Sequence, residues 1–249
     1  MHNGEAYATH NAILDTVPFK PSILVLGTFN PEQPGNMADF FYGRNYFWPA
    51  VFNLFVHHNY HYVSRRDTIM PVEPLLDDIQ ALCKSCKIVF ADLISEILHH
   101  ENPEYQIIEA VRRGRPIQQI HFNNNVYNAI NDNDLNDLDD LGQVNWTTPH
   151  IIKYLQDTPT IETVYITRNP QAAFNVQWLE IQQGYYNREI DFRRIFTPSG
   201  MGGAPGIPRM RYIIKHWLGA FPSLNYEGLD LQRIETCLSR EIIDELLLG

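Results

Sequence analysis

Residues 22–55 read SILVLGTFNPEQPGNMADFFYGRNYFWPAVFNLF. The apolar run Ile23–Leu26 ends at Gly27, and its length and composition suit a strand over 22–27 buried on both faces. Gly-Thr-Phe-Asn-Pro then turns the chain away from the strand. Gly27 permits close approach of the backbone to a ligand, and Pro31 holds Asn30 in extended geometry. Six rings follow within nine residues: Phe40, Phe41, Tyr42, Tyr46, Phe47 and Trp48. Trp48, Phe52 and Phe55 recur at helical spacing, so Phe47 and Trp48 are expected in a core-facing helix. Phe40 to Tyr42 precede that helix in a loop. There they offer a stacking surface for a flat heterocycle, since each stacked base contributes roughly 1–3 kcal/mol.

The same pattern repeats along the chain. Short apolar runs predict strands at 88–91, 163–167 and 194–197, and IQQIHF (117–122) is either a further strand or an extension into a loop. Helical patterns lie between them. Leu75, Ile79 and Leu82 share one face; TPHIIKYLQDTP starts and stops at prolines; NPQAAFNVQWLEIQQG and GIPRMRYIIKHWLG each have an early proline and a terminal glycine. Strands alternating with helices predict an α/β protein around a parallel sheet covered on both sides. No linker divides the chain, so one domain over 1–249 is expected. Its last stretch, LQRIETCLSREIIDELLLG, reads as an amphipathic helix. Ligands of such folds bind at the carboxyl ends of the strands. GTFNP and Thr197-Pro198-Ser199-Gly200-Met201 both fall there.

Composition narrows the classes. With 44% hydrophobic residues the chain can bury a core. No apolar run reaches bilayer length, and the N-terminus lacks the pattern of a signal peptide, so a cytoplasmic location without a membrane partner is expected. Of the three cysteines, Cys83 and Cys86 form a single CxxC, which cannot complete a four-thiolate site. His57, His58 and His61 lie in a polar stretch and read as surface residues. Neither a metal nor another cofactor is expected. The net charge of −10 argues against a nonspecific nucleic-acid coat. The charge is uneven, however. Asn131–Asp140 holds five aspartates and reads as a solvated loop, whereas Phe192–Lys215 has no acid and carries Arg193, Arg194, Arg209, Arg211 and Lys215.

The loop residues suggest a chemistry. An amide such as Asn30 can orient a water through its carbonyl and donate through its NH₂, but it is a poor base. The glycine-rich stretch TPSGMGGAPGIP offers backbone N–H groups to a phosphate. Met201 stands alone among small residues, either as a plug into the core or as a wedge between bases.

Taken in order, these motifs resemble the uracil-DNA glycosylase superfamily. The closest likeness is to its mismatch-specific uracil/thymine-DNA glycosylase and hypoxanthine-DNA glycosylase branches. GTFNP is similar to the first motif G-I-N-P-G, and Asn45-Tyr46-Phe47-Trp48 matches N-x-F-W, followed by Pro49 as in the hypoxanthine branch. Thr197-Pro198-Ser199-Gly200-Met201 matches N-P-S-G-L with methionine at the wedge. VFADLISE resembles a strand ending in Trp-Asp through Asp92, and ETVYITRNPQAAF resembles the strand–helix unit before the last motif. GTFNP has one residue more between glycine and asparagine than the family motif, so Asn30 and Asn45 both stand as the water-positioning residue.

The resemblance implies a three-layer α/β/α sandwich with a short, mainly parallel central sheet. It implies a monofunctional DNA glycosylase that flips a deaminated or damaged base, uracil or hypoxanthine, out of DNA and hydrolyses its N-glycosidic bond. Gly27, Thr28, Phe29, Phe41, Tyr42 and Asp92 would hold the base, while Pro198, Ser199, Gly200, Met201, Arg209 and Arg211 would hold the DNA. Asp92, an acceptor only, would read a base edge rich in N–H; its alternative role is to cap a helix beginning LISEIL. There are two rival classes, the first of which would use the same aromatic pocket. One is a non-catalytic nucleic-acid or nucleotide-binding member of the fold. The other is a nucleoside hydrolase, which needs carboxylates for the sugar hydroxyls where the early loop offers only Glu32.

Overall fold

The computed structural model describes residues 2–9, 18–31, 34, 41, 47–48, 51, 75–99, 103–112, 114–168, 170–185, 189–197, 216–217, 227–229, 240–241 and 244. In chain order the strands are His2–Asn3 (β1), Tyr7–Ala8 (β2), Ile23–Gly27 (β3), Ile88–Asp92 (β4), Ile94–Ile97 (β5), Glu104–Arg112 (β6), Arg115–Phe122 (β7), Asn125–Tyr127 (β8), Val144–Trp146 (β9), Thr163–Ile166 (β10) and Asp191–Arg194 (β11). The helices are Leu76–Cys86 (α1), Asp132–Asp140 (α2), Thr148–Asp157 (α3) and Ala173–Gln183 (α4).

Four strands form a parallel sheet in the order β11–β10–β3–β4. Every residue of β3, β4 and β10 is buried. Their apolar, partly β-branched sequences therefore read as continuous runs without alternation. α1 packs on β4 through Ile79, Leu82, Cys83 and Cys86. Asp78 secures its first turn by accepting from the Leu75 N–H at 3.2 Å, and Lys87 closes its end in the left-handed region (φ 53°) just before β4 starts. α3 carries a proline in its first turn and packs against α4, whose Phe174, Trp178 and Ile181 are buried. Trp146 and Trp178 extend this core through edge-on contacts with Phe174 and Phe192.

Two antiparallel sheets accompany the parallel one, in the orders β1–β6–β7–β8 and β2–β5–β9. IQQIHF belongs to β7, in a hairpin with β6 outside the parallel sheet. No helix among the described residues is long and apolar enough to cross a membrane.

Four expectations change. Asn131–Asp140 is a helix rather than a solvated loop: Asn131 caps it by accepting from the Asn133 N–H, Asp132 and Asp134 suit the positive end of its dipole, and Leu135 and Leu138 are buried. The fourth strand of the parallel sheet runs over Asp191–Arg194, three residues before the expected start. It is an edge strand, so it tolerates polar residues, and the apolar Ile195 and Phe196 lie beyond it. The segment beginning LISEIL contains strand β5, so it offers Asp92 no helix to cap. Pro170 lies before α4 rather than at its first position. The C-terminal stretch is described only at Arg240, Glu241 and Asp244, where the backbone is helical.

Candidate functional site

The carboxyl edge of the parallel sheet brings together residues from three places in the sequence. Gly27 and Asp92, the last residues of β3 and β4, are a register pair. Beyond them the two chains stay bonded, with the Leu93 N–H donating to the Gly27 carbonyl at 3.1 Å and the Ile94 N–H to the Thr28 carbonyl at 3.0 Å. These bonds fix the start of the GTFNP loop. On the other side the Thr167 N–H and hydroxyl both donate to the Leu26 carbonyl, each at 3.0 Å.

The third contributor is the N-terminal segment. The Thr9 N–H donates to the Ser95 carbonyl at 2.9 Å, and Thr9 forms an isolated antiparallel bridge with Pro31. The Thr9 hydroxyl donates to Asp92 Oδ2 at 2.5 Å and lies 3.4 Å from the Asn30 carbonyl oxygen. With one proton to give, Thr9 commits it to the carboxylate, and the Asn30 contact is the long branch. The Thr9 backbone bridge to Pro31 and its hydroxyl bond to Asp92 thus tie together the chain beyond β3 and the end of β4.

Asn30 is 3% exposed, and its Nδ2 has no hydrogen-bond partner among the described residues. Buried amides are ordinarily satisfied, which singles this donor out. Asp92 is 2% exposed, and Phe29 is buried with its ring centroid 6.3 Å from that of Tyr7. Thr28 is half-buried.

Phe41 is not at a pocket mouth. Its ring is completely buried, 4.5 Å from Phe90 and 6.4 Å from Phe47 between centroids, and its carbonyl accepts the Trp48 indole N–H. The reason lies in Gly27: a Cβ there would stand 2.5 Å from Asp92 Oδ1 and 2.7 Å from Phe41 Cε2. The missing side chain makes room for the ring and the carboxylate against the strand. Phe47 and Trp48 are core residues as expected.

Arg193 is not a free phosphate ligand. Asp191 and Glu227 both hold its guanidinium, and the Asp191 hydrogen bond raises its pKa further. Past β11, Phe196 stacks on His216 at 4.3 Å, and its carbonyl accepts the Trp217 indole N–H at 2.7 Å. Burial lowers the His216 pKa. Asn45, Tyr42, Pro198, Ser199, Gly200, Met201, Arg209 and Arg211 lie outside the described residues.

Thr9 and Arg168 escaped the sequence reading. Arg168 follows β10 at the same edge, 2.7 Å from Asp132 and with its guanidinium carbon 4.4 Å from the centre of the Phe174 ring. Its position one residue past the expected strand 163–167 was the available signal. Thr9 had no local signal, because its contact with Asp92 spans 83 residues. Cys83 and Cys86 face an apolar cavity beside Phe47, Trp48, Phe90 and Trp217, and burial pushes the Cys83 thiol up to about 12. Comparison of the chain with protein-family models, with curated proteins and with solved structures finds no match.

Proposed function

We propose that the protein is a monofunctional DNA glycosylase that hydrolyses the N-glycosidic bond of a deaminated or damaged base, uracil or hypoxanthine, after flipping it out of DNA. The observation that carries this reading is the placement of buried Asn30 and Asp92 at the carboxyl edge of adjacent parallel strands. There a buried amide nitrogen has no partner among the described residues, and the Thr9 hydroxyl donates to the neighbouring Asp92 carboxylate. The motif order read from the sequence adds the wedge loop and the implied three-layer sandwich.

In this mechanism the leaving base departs as an anion while the sugar becomes cation-like. Stabilising the departing charge with preorganised donors is the larger task, and a weak water-positioning amide suffices for the rest. Asn30 is the first choice for that amide, with Asn45 as the alternative. Asp92 accepts from the N–H groups of the base edge, which favours hypoxanthine or a base with an exocyclic amine. Met201 fills the gap left by the flipped nucleotide, and Ser199 with its neighbouring backbone N–H groups holds an adjacent phosphate.

A second reading is a nucleic-acid-binding protein without hydrolysis, and the burial of Phe41 removes that ring as a stacking surface from both readings. Single-turnover assays with uracil- and hypoxanthine-containing DNA separate the two. Under the first reading base is released, and replacing the catalytic asparagine by alanine slows release by on the order of 10²-fold, or about 3 kcal/mol. Full activity in the Asn30→Ala/Asn45→Ala double variant overturns the asparagine assignment. DNA binding without release of either base selects the second reading.

A further inference from the structure

Strands β6 and β7 pair over eight registered positions, from Tyr105↔Phe122 to Arg112↔Arg115. Other strands cover only the base of this hairpin: β1 pairs with Glu104 and Tyr105, and β8 with Ile120, His121 and Phe122. From Ile108↔Gln119 outward no third strand pairs with it among the described residues. Ile108, Glu109, Val111 and Arg112 are all exposed, although 108 and 109 point to opposite faces of the strand. Val111 is 75% exposed. A two-stranded ribbon gains little stability by itself, and pairing with the other described strands does not account for its length.

The tip is VRRGRP. Gly114, at φ +74°, makes the turn, and Arg112 and Arg115 form the last register pair. Ala110–Gln119 contains three arginines and no acid, in a chain of net charge −10. The base of the ribbon is tied to the candidate site. The Tyr7 hydroxyl donates to Gln118 Oε1 at 2.6 Å, and the Tyr7 ring packs on Phe29 of the GTFNP loop. From Gln118 to Arg115 the ribbon reaches roughly 10 Å further.

We propose that this ribbon is an arm whose arginine tip binds backbone phosphates of duplex DNA beside the nucleotide held at the β3–β4 edge. The inference rests on DNA being the substrate, as argued above, and adds a contact surface that the motifs did not include. Charge complementarity carries it: an acidic chain needs a concentrated cationic element to approach a polyanion. Guanidinium groups match phosphate oxygens in bidentate fashion, and the major groove is wide enough to admit a two-stranded ribbon. Pro116 removes a backbone donor near the tip, which disfavours extension of the ribbon by a strand from another protein.

The test measures duplex affinity by fluorescence anisotropy between about 50 and 200 mM salt, the range over which phosphate contacts show themselves. Three variants are compared with the wild type: Arg112→Ala/Arg113→Ala/Arg115→Ala, its lysine counterpart, and Lys20→Ala/Lys84→Ala/Lys153→Ala. The last removes the same charge from exposed lysines elsewhere. Each phosphate contact contributes about 0.9 to the salt slope, so the arm-alanine variant should lower the slope by about 2–3 and weaken binding at low salt by roughly 10-fold or more. The lysine counterpart should keep the slope, and the distant-lysine variant should change it by less than about one. Thermal midpoints confirm that each variant is folded. An unchanged slope in the arm-alanine variant overturns the arm, as does stronger binding to an RNA duplex of the same sequence. Arm-dependent binding by a wild-type protein that releases no base sustains the arm and removes the glycosylase reading. Base release together with an arm-independent slope does the reverse, and a wild-type protein that binds no DNA removes both.

Discussion

Replacing Gly27 by alanine adds one methyl group where the chain has no room for it. The new Cβ would lie 2.5 Å from Asp92 Oδ1 and 2.7 Å from Phe41 Cε2. Neither neighbour yields easily. Phe41 is packed against Phe90 and its carbonyl is tied to Trp48, while Asp92 is 2% exposed and holds the Thr9 proton. Overpacking of this kind typically costs about 1–3 kcal/mol. Alanine also restricts the unfolded chain, which offsets about 0.4–1 kcal/mol of that. The net loss expected is therefore about 1–2 kcal/mol, or a drop of about 2–8 °C in Tm for a chain of this size. Urea unfolding followed by circular dichroism should show a lower midpoint with an unchanged slope. Combining Gly27→Ala with Phe41→Leu removes the Cε2 and Cζ atoms in the way, so the pair should depart from additivity by at least about 0.5 kcal/mol in the favourable direction. A Gly27→Ala protein as stable as the wild type, or strict additivity in the cycle, would refute the packing argument.

Thr9→Val keeps the shape of the side chain but removes the donor to Asp92. A hydrogen bond to a charged group contributes about 1.5–3 kcal/mol, so the unfolding midpoint should fall accordingly, and an unaltered midpoint would show that Thr9 does not hold the carboxylate. Cys83 should react with a thiol reagent at pH 8 only on unfolding, and rapid labelling of the folded protein would contradict its burial. Because its folded pKa is raised from 9.0 to about 12, the unfolded thiol ionises first, and stability should fall as pH rises through that window. Cys83→Ala should reduce the fall; an identical pH profile would count against the assignment.

The parts of the fold legible in the sequence are those whose burial is uniform. β3, β4 and β10 are covered on both faces, so each reads as an apolar run. α1, α3 and α4 bury one stripe, and their spacing records it. The misses have opposite causes. β11 sits at an edge with one strand neighbour, which permits Asp191, Arg193 and Arg194 where a central strand would be apolar. α2 anchors itself with only Leu135 and Leu138, and its aspartates outweigh them in any composition window. The outer half of β6 buries neither face, so the alternation that identifies a strand is missing from EYQIIEAVR. At the candidate site, Gly27, Asn30 and Asp92 were legible because each ends or follows an apolar run. The Thr9 bridge was not, since only the folded chain brings residue 9 to residue 92. Phe41 was misread because its binding slot is the absent side chain of Gly27, a relation between two residues and a property of neither.

The order of strands in the parallel sheet has a consequence for how the chain is made. β3 lies between β4 and β10, and these partners reach it at very different times. Leu26 meets Thr167 across 141 residues, whereas β4 begins soon after α1 ends. The difference in loop-closure entropy is small, since each doubling of length adds only about 0.6 kcal/mol. The difference in time is not. At about 5–20 residues per second, several seconds of synthesis separate the emergence of β4 from that of β10. If β3 and β4 pair as soon as both have emerged, Ile23–Gly27 has one unpaired edge through that interval. The central strand of the finished sheet would then be an edge strand during synthesis, its second border sealed only when Thr163–Ile166 arrives.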